Sequence, residues 1–173
     1  TISGSNGQYT ATYENELTYN AKPQAPPITL SGEQAPQNPT YIYKTSNNGQ
    51  VEGAPTEAGE YKIFIDEQAI GEFTISKVSI GSTEITTKPN VNIDATVKTT
   101  IAGLSQDNMD TTLKNYFKVT YGGTDVAIAN YTLSSTVSGN TISITAKHTD
   151  NGSFSDSTKT VDFKVVSSLS DFT

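Results

Sequence analysis

His148 is the only histidine in the chain, and it lies two residues before Asp150-Asn151-Gly152. A lone imidazole supplies one candidate general base and excludes every metal motif built on paired histidines. Its place just beyond the alternating run Ile142 to Ala146 is that of an exposed turn residue, and no catalytic role is assigned to it. The chain is rich in serine but holds no Gly-x-Ser-x-Gly elbow, the strand-to-helix turn that exposes a nucleophilic hydroxyl. Cysteine is absent, which removes disulfides and every zinc or iron site that needs thiolate.

Asp150, Asn151, Ser153 and Asp156 place hard oxygens in one short stretch, the donor type that calcium prefers. An EF-hand loop would need glycine at its sixth position and a bidentate glutamate at its twelfth, and neither follows, so the stretch reads as a hairpin turn. Asp107 and Asp110 are accounted for by the positive end of a helix. An intramolecular isopeptide bond would need a desolvated lysine beside Asn or Asp and a carboxylate to move protons. Lys62, Lys98, Lys118 and Lys164 instead fall at the outward phase of their strands.

Tyrosine is the most suggestive side chain, with nine copies and no tryptophan. Tyr9, Tyr13, Tyr19, Tyr41 and Tyr43 lie in the first half, where an exposed group would stack on sugar rings or anchor a protein partner. The same residues also suit half-buried strand positions. They are the only candidate ligand contacts; no catalytic residue, metal ligand or cofactor is assigned.

The 18 acidic side chains outnumber the 11 basic ones, and every basic one is lysine. Without arginine, and at a net charge of -7, the chain lacks the planar fork that reads phosphates and guanine edges, so no nucleic-acid partner is expected. No apolar run approaches the roughly 20 residues that span a bilayer, and membrane insertion by this segment is not expected. The chain opens on Thr1 without an initiator methionine and reads as a segment of something longer.

The elements that would position these residues are mostly strands. Apolar side chains alternate at Val91, Ile93, Ala95 and Val97, with Asn92, Asp94, Thr96 and Lys98 between them, which predicts a half-buried strand. The pattern recurs at Tyr61, Ile63 and Ile65, at Phe73 and Ile75, at Phe117, Val119 and Tyr121, at Ile142 and Ile144, and at Val161, Phe163 and Val165. Ser46-Asn47-Asn48-Gly49, Ala58-Gly59, Gly122-Gly123, Ser138-Gly139-Asn140 and Asp150-Asn151-Gly152 supply turn chemistry between runs. From Ser105 to Phe117 the period changes: Met109, Leu113, Tyr116 and Phe117 share one helical face. Ser105 stands at the cap, Asp107 and Asp110 near the positive end, and Lys114 and Lys118 near the negative end.

An apolar share of 34% argues against one large core and favours two small ones. The expected division is 1–78 and 79–173, joined near Val78 to Gly81 without a flexible linker, so that the modules meet end to end with restricted bending. The expected fold is all-β: two tandem immunoglobulin-like β-sandwich modules, the second carrying one short crossover helix.

Three stretches of the first half carry a family resemblance: Leu17-Thr18-Tyr19-Asn20-Ala21-Lys22-Pro23, then Ala58-Gly59-Glu60-Tyr61, then Phe73-Thr74-Ile75-Ser76-Lys77. In this order they resemble the MBG and YDG repeats of bacterial cell-surface proteins, over residues 8 to 78, with Ala21 where those repeats often have glycine. The second half resembles bacterial immunoglobulin-like domains in general plan only. The resemblance implies a non-catalytic, extracellular spacer or adhesive module on a bacterial cell surface. Its partners would be other domains of the same surface protein, and a host protein or glycan if it adheres. The alternative is a carbohydrate-binding module that presents exposed tyrosines.

Overall fold

Alternating burial builds the strands of the first unit, and the computed structural model describes residues 2–5 and 7–166. The chain divides into two units between Val78 and Ser79. In the first, β1 (Ile2–Ser5), β2 (Thr10–Tyr13) and β4 (Thr29–Ser31) form an antiparallel sheet in the order β1-β2-β4. A second sheet orders β3 (Glu16–Thr18), β8 (Gln68–Ser76), β7 (Gly59–Ile65), β5 (Ile42–Thr45) and β6 (Gln50–Val51) as β3-β8-β7-β5-β6. Ala11 and Tyr13 from one sheet, and Tyr61, Ile63, Ile65, Phe73 and Ile75 from the other, are buried. The Tyr61 and Phe73 rings stack at 5.6 Å between centroids. The inward phase expected for β7 and β8 is therefore the one observed.

Two turns of this unit turn left-handed without glycine. Asp66 and Glu67 join β7 to β8 with φ of 49° and 67°, values that a two-residue hairpin of this type requires at both positions. No Asn-Gly or Gly-Gly pair marks it, so the turn is invisible in the sequence. Ala21, standing where the resembled repeats often carry glycine, adopts φ 63°. Left-handed backbone costs an L-residue about 1–2 kcal/mol, and glycine's extra freedom in the unfolded chain returns about 0.5–1 kcal/mol of that. Ala21→Gly is thus expected to stabilise the first unit by about 0.5 kcal/mol in denaturant unfolding. A net loss would mean that the buried Ala21 methyl outweighs the strain.

A short strand, β9 (Val78–Ser79), straddles the division. The second unit contains one antiparallel sheet of β10 (Glu84–Thr87), β11 (Phe117–Tyr121) and β12 (Thr124–Asp125), in the order β10-β11-β12. Another orders β13 (Tyr131–Ser138), β14 (Thr141–His148) and β16 (Thr158–Lys164) as β13-β14-β16; β15 (Phe154–Ser155), which precedes β16 in the chain, lies outside this sheet. Ile85, Phe117, Val119, Leu133, Ile142, Ile144, Ala146 and Phe154 are buried. Gly122 and Gly123 close β11 onto β12 with φ of 57° and 79°, and Gly139 opens the two-residue turn into β14.

The strand expected over Val91 to Val97 does not form: residues 91–93 belong to no regular element and a helix, α1 (Ala95–Ala102), takes up the rest, so the second unit has two α-helices rather than one. Asp94 caps it, its Oδ1 accepting from the Val97 N–H at 2.9 Å. Ile93, Val97 and Ile101 recur every fourth residue, and Ile93 and Ile101 are buried whereas Ala95 is exposed. The alternation at 91–97 was thus a coincidence inside a longer period, broken by Thr99 and Thr100, whose hydroxyls bond back to the Ala95 and Thr96 carbonyls.

The second helix, α2 (Gln106–Tyr116), forms where the apolar spacing placed it, with Leu113 buried and Met109 and Tyr116 half-buried. Ser105 occupies its cap without a side-chain hydrogen bond. Phe117 begins β11 rather than ending the helix. Lys118, expected at the helix's negative end, sits in β11 and pairs with Asp125 at 3.0 Å.

Candidate functional site

The five tyrosines do not assemble on an exposed face. Tyr9, Tyr13 and Tyr19 are buried at 8%, 3% and 1% exposure, so their rings offer no surface to a ligand. Tyr13 ends β2, and its hydroxyl donates to the Glu72 carbonyl at 2.9 Å while accepting from the Glu72 N–H at 2.7 Å. Burial and the Glu72 charge push its phenol above the ordinary value, against the hydrogen bond from the Glu72 backbone.

Tyr41 and Tyr43 remain half-exposed. Tyr41 lines an open groove of about 350 Å³ with Ile28, Leu30, Pro36, Gln37 and Pro39. Tyr43 sets its edge against Phe73 at 5.9 Å. Burial raises both phenols, and each feels a neighbouring tyrosine, Tyr9 for Tyr41 and Tyr41 for Tyr43. The groove brings together no acid, base and nucleophile.

His148 is not a turn residue. It ends β14 opposite Tyr131, half-buried, and its Nδ1 is enclosed without a hydrogen-bond partner. Asp150 to Ser153 do not form a hairpin either; they carry the chain from β14 to β15. Asn130, which is buried, organises that passage: its carbonyl accepts from Thr149 N–H at 3.2 Å and its Oδ1 from Ser153 N–H at 2.8 Å. Gly152 is the residue the passage requires, because a Cβ there would stand 2.6 Å from Thr149 Oγ1 and 3.0 Å from the Asn130 Cα. Among the described residues no three His, Asp or Glu side chains group to hold a metal ion.

The strongest polar constellation was not singled out in the sequence. Asp110 of α2 splits its carboxylate, Oδ1 accepting from the Leu133 N–H of β13 at 2.7 Å and Oδ2 from Lys114 Nζ at 3.0 Å. Lys114 Nζ also donates to the carbonyls of Ile128 at 3.1 Å and Tyr131 at 2.8 Å. Three protons meet three acceptors, with the Tyr131 ring 5.0 Å away. An ammonium so fully engaged is a fastener rather than a nucleophile, since attack needs a free lone pair. Read as helix-dipole charges, Asp110 and Lys114 gave no sign of this, because β13 supplies the other groups from a remote stretch. Their four-residue spacing was the one available signal.

Of the lysines weighed for an isopeptide bond, Lys98 and Lys62 reach asparagine oxygens, at 3.5 Å for Asn140 and 3.2 Å for Asn48, and both contacts are exposed. Lys164 bonds Thr141 at 3.0 Å on the solvent face. No helix is long and apolar enough to cross a membrane among the described residues. No protein-family model, curated protein or solved structure matches the chain.

Proposed function

We propose that this chain is a non-catalytic, extracellular spacer or adhesive segment of a bacterial cell-surface protein, built as two immunoglobulin-like β-sandwich modules in tandem. The motif order Tyr-Asn-Ala-Lys-Pro, Ala-Gly-Glu-Tyr and Phe-Thr-Ile-Ser-Lys supports the surface assignment. Strand-dominated units with most strong polar contacts committed to holding elements together support a mechanical rather than a chemical role.

The observation that carries this reading is the pairing of β3 with β8. The two strands run parallel, Glu16 opposite Thr74, Leu17 opposite Ile75 and Thr18 opposite Ser76. Flanking bonds extend the pairing, from Thr74 N–H to the Asn15 carbonyl and from Tyr19 N–H to the Ser76 carbonyl, each at 2.9 Å. The first unit opens with β1 and β2; β3 and β8 are the strands whose outer ends, before Glu16 and after Ser76, carry tension across this pairing. Tension between those ends slides parallel strands past one another, so their bonds share the load instead of breaking one at a time. A spacer under tension needs that geometry, because survival under force is set by the unfolding rate.

Single-molecule pulling on the full chain tests it. Handles at Glu14 and Lys77 load β3 against β8 in shear, whereas handles at Ala58 and Lys77 peel the antiparallel β7–β8 pair, in which Gly59 faces Ile75, from its open end. The first geometry is expected to rupture at the higher force. Equal or reversed forces would remove the support for a spacer.

A further inference from the structure

Two Asn-Gly pairs lie wholly among the described residues, and their surroundings differ. Asn48-Gly49 turns β5 into β6, with Asn48 left-handed at φ 65° and exposed. The Gly49 N–H donates to the exposed Thr45 hydroxyl at 3.0 Å. Lys62, from the neighbouring β7, places its ammonium 3.2 Å from the Asn48 side-chain oxygen. At Asn151-Gly152 the Gly152 N–H donates to the Thr149 carbonyl at 3.0 Å, and Gly152 is buried against Asn130.

We propose that Asn48 is a site of spontaneous conversion to aspartate and isoaspartate, promoted by Lys62. The Gly49 amide nitrogen gives its proton to hydroxide and attacks Asn48 Cγ. The bond from Cγ to the side-chain nitrogen breaks, and ammonia leaves. Water then opens the resulting cyclic imide at either carbonyl, so the net change is one amide plus water to one carboxylate plus ammonia. Negative charge develops on the Asn48 side-chain oxygen during attack, where the Lys62 ammonium already stands. The attack also needs the turn to open. β6 is a two-residue strand at the sheet edge, so local opening there is cheap, whereas opening around Gly152 would unpack Asn130. The carboxylate left at position 48 would face Lys62 and turn a neutral contact into an exposed ion pair.

The test is ageing of the full chain at mildly alkaline pH, followed by peptide mapping, which separates positions 48 and 151 from the Asn6-Gly7 pair. Position 48 is expected to convert well ahead of position 151. Lys62→Gln is expected to slow position 48 about fivefold and Lys62→Arg to keep it near the original rate, a unit charge at this range in a solvated setting being worth about 1 kcal/mol. Position 151 should be indifferent to both. Faster conversion at position 151, an unchanged rate in Lys62→Gln, or a lasting loss of ammonia without uptake of water, the mark of a Lys62–Asn48 cross-link, would each overturn the proposal.

Discussion

Gly71→Ala is expected to unfold the first unit under conditions where the second still melts normally. A Cβ at position 71 would lie 1.9 Å from the Tyr13 hydroxyl oxygen and 2.7 Å from the ring carbon that bears it. Tyr13 cannot swing away, because its ring is buried and its hydroxyl is tied to both backbone groups of Glu72. Overpacking in a well-filled core costs about 1–3 kcal/mol, and the Tyr13 bonds would be lost in addition, so about 3 kcal/mol or more is expected. Tyr13→Phe alone should cost about 1–2 kcal/mol, since it leaves Glu72 backbone groups unpaired but keeps the ring. The pair should be less than additive, because phenylalanine removes the nearest of the clashing atoms. Hydrogen exchange resolved by residue checks both the size and the confinement. Free accommodation of alanine at 71 would mean that β2 and β8 do not approach as described.

Asp110→Ala is expected to loosen α2 from β13 and to destabilise the second unit measurably. It leaves the Leu133 N–H without its acceptor and Lys114 without its counter-charge, while the ammonium keeps two carbonyl bonds. Breaking a buried pair costs about 3–5 kcal/mol, but the Asp110 and Lys114 side chains are 38% and 17% exposed, and that exposure brings the expected loss to about 2 kcal/mol. Asp110→Asn keeps an acceptor for Leu133 and should cost about half as much. Denaturant midpoints at unchanged slope would check this. A similar loss for both variants would assign the cost to charge alone, and no loss would show that α2 is held to β13 by its apolar side chains.

Period-two patterning was legible wherever a strand buries one face for its whole length, as at Tyr61–Ile65, Phe73–Ile75 and Ile142–Ala146. It misled at Val91–Val97, where only Ala95 and Val97 enter a helix and the deciding residue, Asp94, acts through one capping bond. The turns at Gly122-Gly123 and Gly139-Asn140 were readable, whereas Asp150-Asn151-Gly152 is not the hairpin expected and Asp66-Glu67 carries no glycine to mark it. The tyrosines show the same limit from the other side. Composition could supply the rings of Tyr9, Tyr13 and Tyr19, but only the packing of β2 and the chain after β3 decides that they face inward. Asp110 and Lys114 were visible as a helical pair, whereas Leu133, Ile128 and Tyr131 join them only once β13 has folded back along α2.

The parallel match of Leu17 with Ile75 also fixes when the first module can be completed. Its partners lie almost a whole module apart in the chain, so the pairing must wait for nearly every intervening residue to be in place. During synthesis the edge of β8 cannot be covered until the last of that strand has left the ribosome. On a chain still being made, residues 16–18 would therefore keep their pairing edge open until the last of β8 has emerged.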